Sequence, residues 1–123
     1  MLFGPPEEVN AMADIAPATT APLTVVMLPD EIDMANADAI GEDFAAALAP
    51  GVRVVISDMT ATTFCDSAGI NMLIRARKQA AAKGAEIRLL LPCPSVLRVL
   101  KMQGVDALLP VYHSMEAALA GGS

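Results

Sequence analysis

Val54-Val55-Ile56-Ser57-Asp58, a short connection, and then Phe64-Cys65-Asp66-Ser67-Ala68-Gly69-Ile70 is the stretch that decides how this chain folds. The run from Val52 to Ile56 is apolar except for Arg53, which suits a central strand covered on both faces. Asp58 to Asp66 reads as a loop or a short strand end, and the small Asp-Ser-Ala-Gly turn opens a helix. That arrangement sets the Ser67 hydroxyl at a helix N-terminus, where free backbone N–H groups and the positive end of the dipole gather. A phosphate is tolerated in such a position, and the small neighbours Ala68 and Gly69 leave another protein's active site room to approach. The plainer alternative is that Asp66 or Ser67 only caps the helix.

Working outward, the helix from Ser67 stops at Lys83-Gly84, where glycine supplies a left-handed terminal residue. Helical spacing puts Ile70, Leu73, Ile74, Ala80 and Ala81 on its inward face. Ala68, Met72, Arg75 and Gln79 then form the opposite stripe, with Met72 an apolar residue facing outward beside Ser67. Arg77 falls near the inward side, its stem packing and its head reaching out. Upstream, Leu23 to Leu28 is β-branched and apolar and reads as a strand. Asp33 is a suitable N-cap for a helix whose Ala37, Ile40, Phe44, Ala47 and Leu48 repeat at helical spacing, ended by Pro50-Gly51. Downstream, Glu86 to Leu91 is a strand. Pro92 to Ser95 starts a helix with Val96, Val99 and Leu100 inward and Gly104 at its end, Leu108 to Tyr112 is a last strand, and Ser114 caps a helix over Met115 to Ala120.

Strands and helices alternate, so the fold class is α/β. The expected domain covers 23–120, with a mixed, mostly parallel sheet of four to five strands packed with about four helices. Residues 1–22 are poorly patterned, with an edge strand around Val9 to Ile15, and 121–123 is a tail.

The chain has 123 residues, 54% hydrophobic and 3% aromatic, so one core built from Ala, Val, Leu, Ile and Met is expected without staples. Net charge is −6, which argues against nucleic acid and against a polybasic membrane contact. Residues 1–50 hold nine acids (Glu7, Glu8, Asp14, Asp30, Glu31, Asp33, Asp38, Glu42, Asp43) and no Lys or Arg, and all eight bases lie between Arg53 and Lys101. One face is therefore acidic, either as a docking face for a basic partner or as a solvated surface. Cys65 and Cys93 have no metal-binding spacing and His113 is the only histidine, so no metal and no cofactor is expected, and free thiols suit a cytoplasmic protein. The opening residues lack a basic n-region and an apolar stretch, so no secretory leader is expected, and no run of eighteen apolar residues predicts a membrane span.

The run from Leu23 to Ala120 resembles the STAS family, in particular its anti-sigma factor antagonist branch. Glu31-Ile32-Asp33 resembles that family's acidic turn, and Asp58 followed by Phe64-Cys65-Asp66-Ser67-Ala68-Gly69-Ile70 resembles its Asp-Ser-Ser/Thr-Gly-Leu signature. Ala68 departs from it, since the family often has a second hydroxyl there. The resemblance implies that Ser67 is phosphorylated by an anti-sigma factor that is itself a serine kinase, and that a phosphatase resets it. Together with the outer stripe of the helix and the acids at the sheet's end, it leads to an expected partner surface of Asp33, Asp66, Ser67, Ala68, Gly69, Met72 and Arg75, with no catalytic residue, in a monomer or weak dimer. A STAS scaffold subunit of a signalling or lipid-transport complex is the alternative. A serine hydrolase is disfavoured, because Asp-Ser-Ala-Gly is not the nucleophile elbow and His113 is the sole base candidate. Nucleotide binding is disfavoured as well, because no Gly-rich phosphate loop is present.

Overall fold

The computed structural model describes residues 22–121. The expected edge strand at Val9 to Ile15 lies outside the described residues. In chain order the elements are β1 (Leu23–Met27), β2 (Glu31–Ile32), α1 (Ala37–Ala47), β3 (Val54–Asp58), β4 (Phe64–Cys65), α2 (Ser67–Ala82), β5 (Glu86–Leu90), α3 (Pro94–Met102), a 3-10 turn (Val105–Ala107), β6 (Val111–Tyr112) and α4 (Met115–Ala120). Four strands form one sheet in the order β1-β3-β5-β6, and every pairing is parallel. Val54, Val55, Ile56 and Ser57 of the central strand are all buried, as expected for a strand covered on both faces.

The two sides of the sheet differ in size. On one side Val55, Ile87 and Leu89 pack with Ile40 and Phe44 of α1, Ile70 and Leu73 of α2, and Val96 and Leu100 of α3. On the other, Val54, Ile56 and Leu90 pack with Ala118, with Leu23, Tyr112, Met115 and Leu119 around them. Among the described residues Ser57 is the one buried polar side chain without a hydrogen-bond partner. Such a hydroxyl costs about 1–3 kcal/mol.

Several local expectations are corrected. Asp33 does not cap α1, because a turn intervenes and the N-cap is Asn36. Asp33 closes that turn: its carboxylate accepts from the Ala35 N–H at 2.9 Å, and its carbonyl accepts from the Ala37 N–H at 2.9 Å. Ala81 is exposed, and Val99 is 38% exposed, since α3 buries only Val96 and Leu100. The chain from Val105 to Leu109 is a tight turn, so the last strand shrinks to two residues. Arg77 behaves as expected, its Nε donating to the Leu108 carbonyl at 2.8 Å.

The C-terminal helix is held by a buried cation. Arg88 of β5 is only 9% exposed. Its guanidinium donates to the Ala118 carbonyl at 2.9 Å and to the Glu86 carboxylate at 3.1 Å. It thereby satisfies one end carbonyl of α4, next to the favourable pole of the helix dipole. Gly121 follows with φ +60°, and a Cβ there would lie 2.3 Å from the guanidinium carbon. Arg88→Ala is expected to lower the unfolding free energy by about 2–3 kcal/mol in urea titrations, because it strands a buried carbonyl and uncovers the apolar face beneath α4. Early amide exchange in α4 is the local signature to measure.

Candidate functional site

The site is built where the strands of the sheet end. The β1–β2 and β3–β4 connections run side by side there, and β2 and β4 pair as a small parallel ribbon. The Thr63 N–H donates to the Asp30 carbonyl at 2.7 Å and the Asp66 N–H to the Ile32 carbonyl at 3.0 Å. The buried Thr62 hydroxyl donates to the Pro29 carbonyl at 2.8 Å. The ribbon was not foreseen in the sequence, because two residues per strand are too few for a periodic signal. Its alternation is nonetheless clear once paired: Ile32 and Cys65 point in, while Glu31 and Phe64 point out.

The ribbon positions the helix that follows. Asp66 is the N-cap of α2, in extended conformation, and one carboxylate oxygen accepts from the Ala68 N–H at 2.9 Å and from the Gly69 N–H at 3.1 Å. Ser67 is the first helical residue and is exposed, and among the described residues its hydroxyl makes no hydrogen bond. The expectation of free N–H groups waiting for a phosphate is therefore corrected: the neighbouring carboxylate already holds two of them. Ser67 stands on the helix end without drawing on its donors.

Asp33 is brought to the same place. Ile32 is opposite Cys65 in the ribbon, so Asp33 and Asp66 each follow a paired residue at the same end. Asp58 closes β3 at this rim, its carboxylate accepting from the Thr60 N–H at 3.0 Å. The acids expected near Ser67 thus converge through topology.

Met72 and Gly69 sit differently from expectation. Met72 is 1% exposed, because α1 packs over that side of α2; a Cβ on Gly41 would sit at an ordinary contact distance of 3.5 Å from the Met72 side chain. It is core, not an outward apolar tip. Gly69 is buried too, and a Cβ there would lie 2.7 Å from both the Cys65 sulfur and an Ile32 methyl. Its smallness lets the first turn of α2 rest on the ribbon, and it does not open space for a partner. Ala68 is half-buried, and Arg75 is exposed on the α1–α2 groove, 4.0 Å from Asp38. Between two exposed side chains this pair contributes little.

The thiols have opposite settings. Cys65 is buried under the ribbon, and burial, followed by the charge of Asp66, pushes its pKa up to about 11. Cys93 precedes α3, and its pKa is lowered by the Ser95 hydroxyl, 3.3 Å away, and then by the Val96 backbone. Both are free. Among the described residues no cluster of three potential ligands could hold a metal ion, and no helix is long and apolar enough to cross a membrane.

Comparison with known proteins matches this architecture. A family model described as the STAS domain matches residues 12–118. BtrV of Bordetella bronchiseptica, assigned as an anti-sigma factor antagonist, is 29% identical over 98 residues, covering 80% of this chain and 84% of that protein. An anti-sigma factor antagonist from Mycobacterium paratuberculosis superposes with a TM-score of 0.71 at 25% identity, covering 79% of this chain and 82% of that one. Unphosphorylated SpoIIAA of Bacillus superposes with a TM-score of 0.65 at 23% identity, covering 80% and 88%, a likeness of fold.

Two outcomes test this geometry. Gly69→Ala is expected to destabilise the fold by about 1–3 kcal/mol, seen as a lower thermal midpoint, because Ile32 and Cys65 must give way. Alkylation at neutral pH is expected to label Cys93 first, with Cys65 reacting only as the protein unfolds or as the pH approaches its raised pKa. Mass mapping over time reads the order.

Proposed function

The chain belongs to the STAS domain family, and from that membership we propose that it is an anti-sigma factor antagonist whose docking is controlled by phosphorylation of Ser67. The observation that carries this reading is the exposed Ser67 hydroxyl on the first residue of α2, at the rim shared by Asp33 and Asp66. Support comes from the relatives: BtrV and the Mycobacterium protein are named as anti-sigma factor antagonists, and SpoIIAA is known in unphosphorylated and phosphorylated forms.

The proposed mechanism is partner switching. The unmodified protein binds an anti-sigma factor that is a serine kinase, and a sigma factor is set free. The kinase brings the terminal phosphate of a nucleotide to the hydroxyl, and the phosphorylated protein then leaves. A phosphatase restores the hydroxyl.

Physical chemistry makes the block local. A phosphate adds about −1.5 to −2 charges. Against one partner carboxylate or nucleotide phosphate at about 7 Å, with an effective dielectric near 20, each unit of charge costs roughly 2–2.5 kcal/mol. That alone weakens binding by tens of fold, at about 1.4 kcal/mol per decade. The fold has no need to change, because Ser67 is exposed on the first residue of α2.

Ser67→Asp is expected to keep a native circular dichroism spectrum and thermal midpoint while losing affinity for the kinase by at least tenfold, about 1.4 kcal/mol. Ser67→Ala is expected to bind and never to take phosphate. An unfolded Ser67→Asp protein defeats the reading. Absence of phosphate on Ser67 with the host's serine kinases and ATP supports a STAS scaffold subunit in its place.

A further inference from the structure

α3 buries only Val96 and Leu100 in the core. Its outer side carries an open cleft of about 440 Å³, lined by Pro94, Leu97, Arg98, Lys101 and Met102. These positions stand three, four, seven and eight residues on from Pro94, so they form one face of the helix. At 1.5 Å per residue that face is about 12 Å long. Pro94, Leu97 and Met102 supply its apolar part, and Met102 is 76% exposed. Arg98 and Lys101 are both exposed beside them, and α3 contains no acid.

The two cations have no task inside the fold. Elsewhere Arg75 faces Asp38, Arg77 donates to the Leu108 carbonyl, Lys83 donates to the Leu48 carbonyl, and Arg88 holds Glu86 and the end of α4. Arg98 and Lys101 form no ion pair among the described residues, not even with Asp106 just beyond the helix. Lys101 lies in the last turn, where the helix dipole favours a cation, but Arg98 sits mid-helix and gains nothing from it.

An apolar cleft flanked by unpaired cations selects an occupant that is apolar and anionic at once. Two bases draw a protein only weakly to an anionic bilayer, and a chain of net charge −6 is repelled by one. The same charge disfavours nucleic acid. An amphipathic helix meets both demands. Its anchors at i, i+3 or i+4 and i+7 span about 10.5 Å, close to the length of the face, and acids beside that stripe reach the cations. The flexible thioether of Met102 adapts to such a stripe.

We propose that the outer face of α3 is a docking surface for an acidic amphipathic helix of a partner protein. The apolar stripe of that helix lies in the cleft between Leu97 and Met102, and its carboxylates pair with Arg98 and Lys101. None of these residues lies on the ribbon or on α2. The surface is therefore separate from Ser67, of opposite charge to its rim, and independent of the switch.

The probe is a synthetic helix of about 15 residues, with leucine along one stripe and glutamate beside it. A matched peptide carries lysine in place of glutamate. Titrated into the isotope-labelled full chain, the glutamate peptide is expected to move the amide resonances of α3, and the lysine peptide is expected to leave them in place. Arg98→Glu with Lys101→Glu should weaken the glutamate peptide at least tenfold and make the lysine peptide the tighter binder. Met102→Ser should weaken it about three- to tenfold. All three residues are exposed, so thermal midpoints should hold. Ser67→Asp should bind the glutamate peptide as wild type does, and loss of binding there merges the surface with the switch and overturns its independence. No shift in α3 overturns the proposal, as does an equal response to both peptides, which marks a plain apolar contact. If phosphatidylglycerol vesicles sediment the chain and the double variant abolishes this, the occupant is a lipid surface. If the free chain pairs with itself and Met102→Ser abolishes that pairing, the occupant is a second copy. Either result overturns the proposal.

Discussion

The pairing of two very short strands governs the functional end of this molecule. β2 and β4 contribute two residues each, yet the bonds from Thr63 to the Asp30 carbonyl and from Asp66 to the Ile32 carbonyl join two loops that would otherwise move apart. Ile32 and Cys65 point down from the ribbon, and Gly69 lets α2 sit against them with no side chain between. The start of α2, and so the height and direction of Ser67, is set by that contact. Asp66 completes the arrangement by fastening the first turn through two backbone donors. Four small features thus fix one hydroxyl at the rim, and each is a matter of local geometry.

The main sheet plays a different part. Its parallel order sends every following loop to the same edge, which is why Asp33, Asp58 and Asp66 meet there although 33 residues of sequence separate the first from the last. The core beneath is built largely from aliphatic side chains, with Phe44 the one fully buried aromatic among the described residues. That division lets the rim carry mutually repelling acids, since stability comes from burial elsewhere. The proposed modification of Ser67, at the exposed rim, would accordingly leave the core alone.

Much of this was legible in the sequence. Alternating apolar runs and helical spacing gave the α/β class, the central strand, and Ile40, Phe44, Ile70 and Leu73 as core. The exposed serine at a helix start was readable from Asp-Ser-Ala-Gly. What failed did so for definable reasons. Met72 was assigned to an outer stripe because one helix's periodicity does not reveal a second helix lying across it, and α1 covers that side. Asp33 looked like a cap because capping residues and turn residues are the same types, and only the bond to the Ala35 N–H distinguishes them. Gly69 was taken as empty space for a visitor, while its neighbours show it to be a close approach within the protein. Phe64 was read only as part of the motif, because a lone aromatic has no pattern until Glu31 is placed beside it.

The way Asp66 occupies the helix start has a consequence for the lifetime of any ester formed at Ser67. A phosphoryl group there gains no backbone donors from Ala68 and Gly69 unless it evicts the carboxylate, and it sits close to Asp33 and Asp66. The ester is then held uphill of the free hydroxyl by its own surroundings, and hydrolysis releases that repulsion. Phosphate monoesters hydrolyse extremely slowly without a catalyst, so such a mark would persist until a phosphatase removes it, and the flanking carboxylates would make that removal the more downhill.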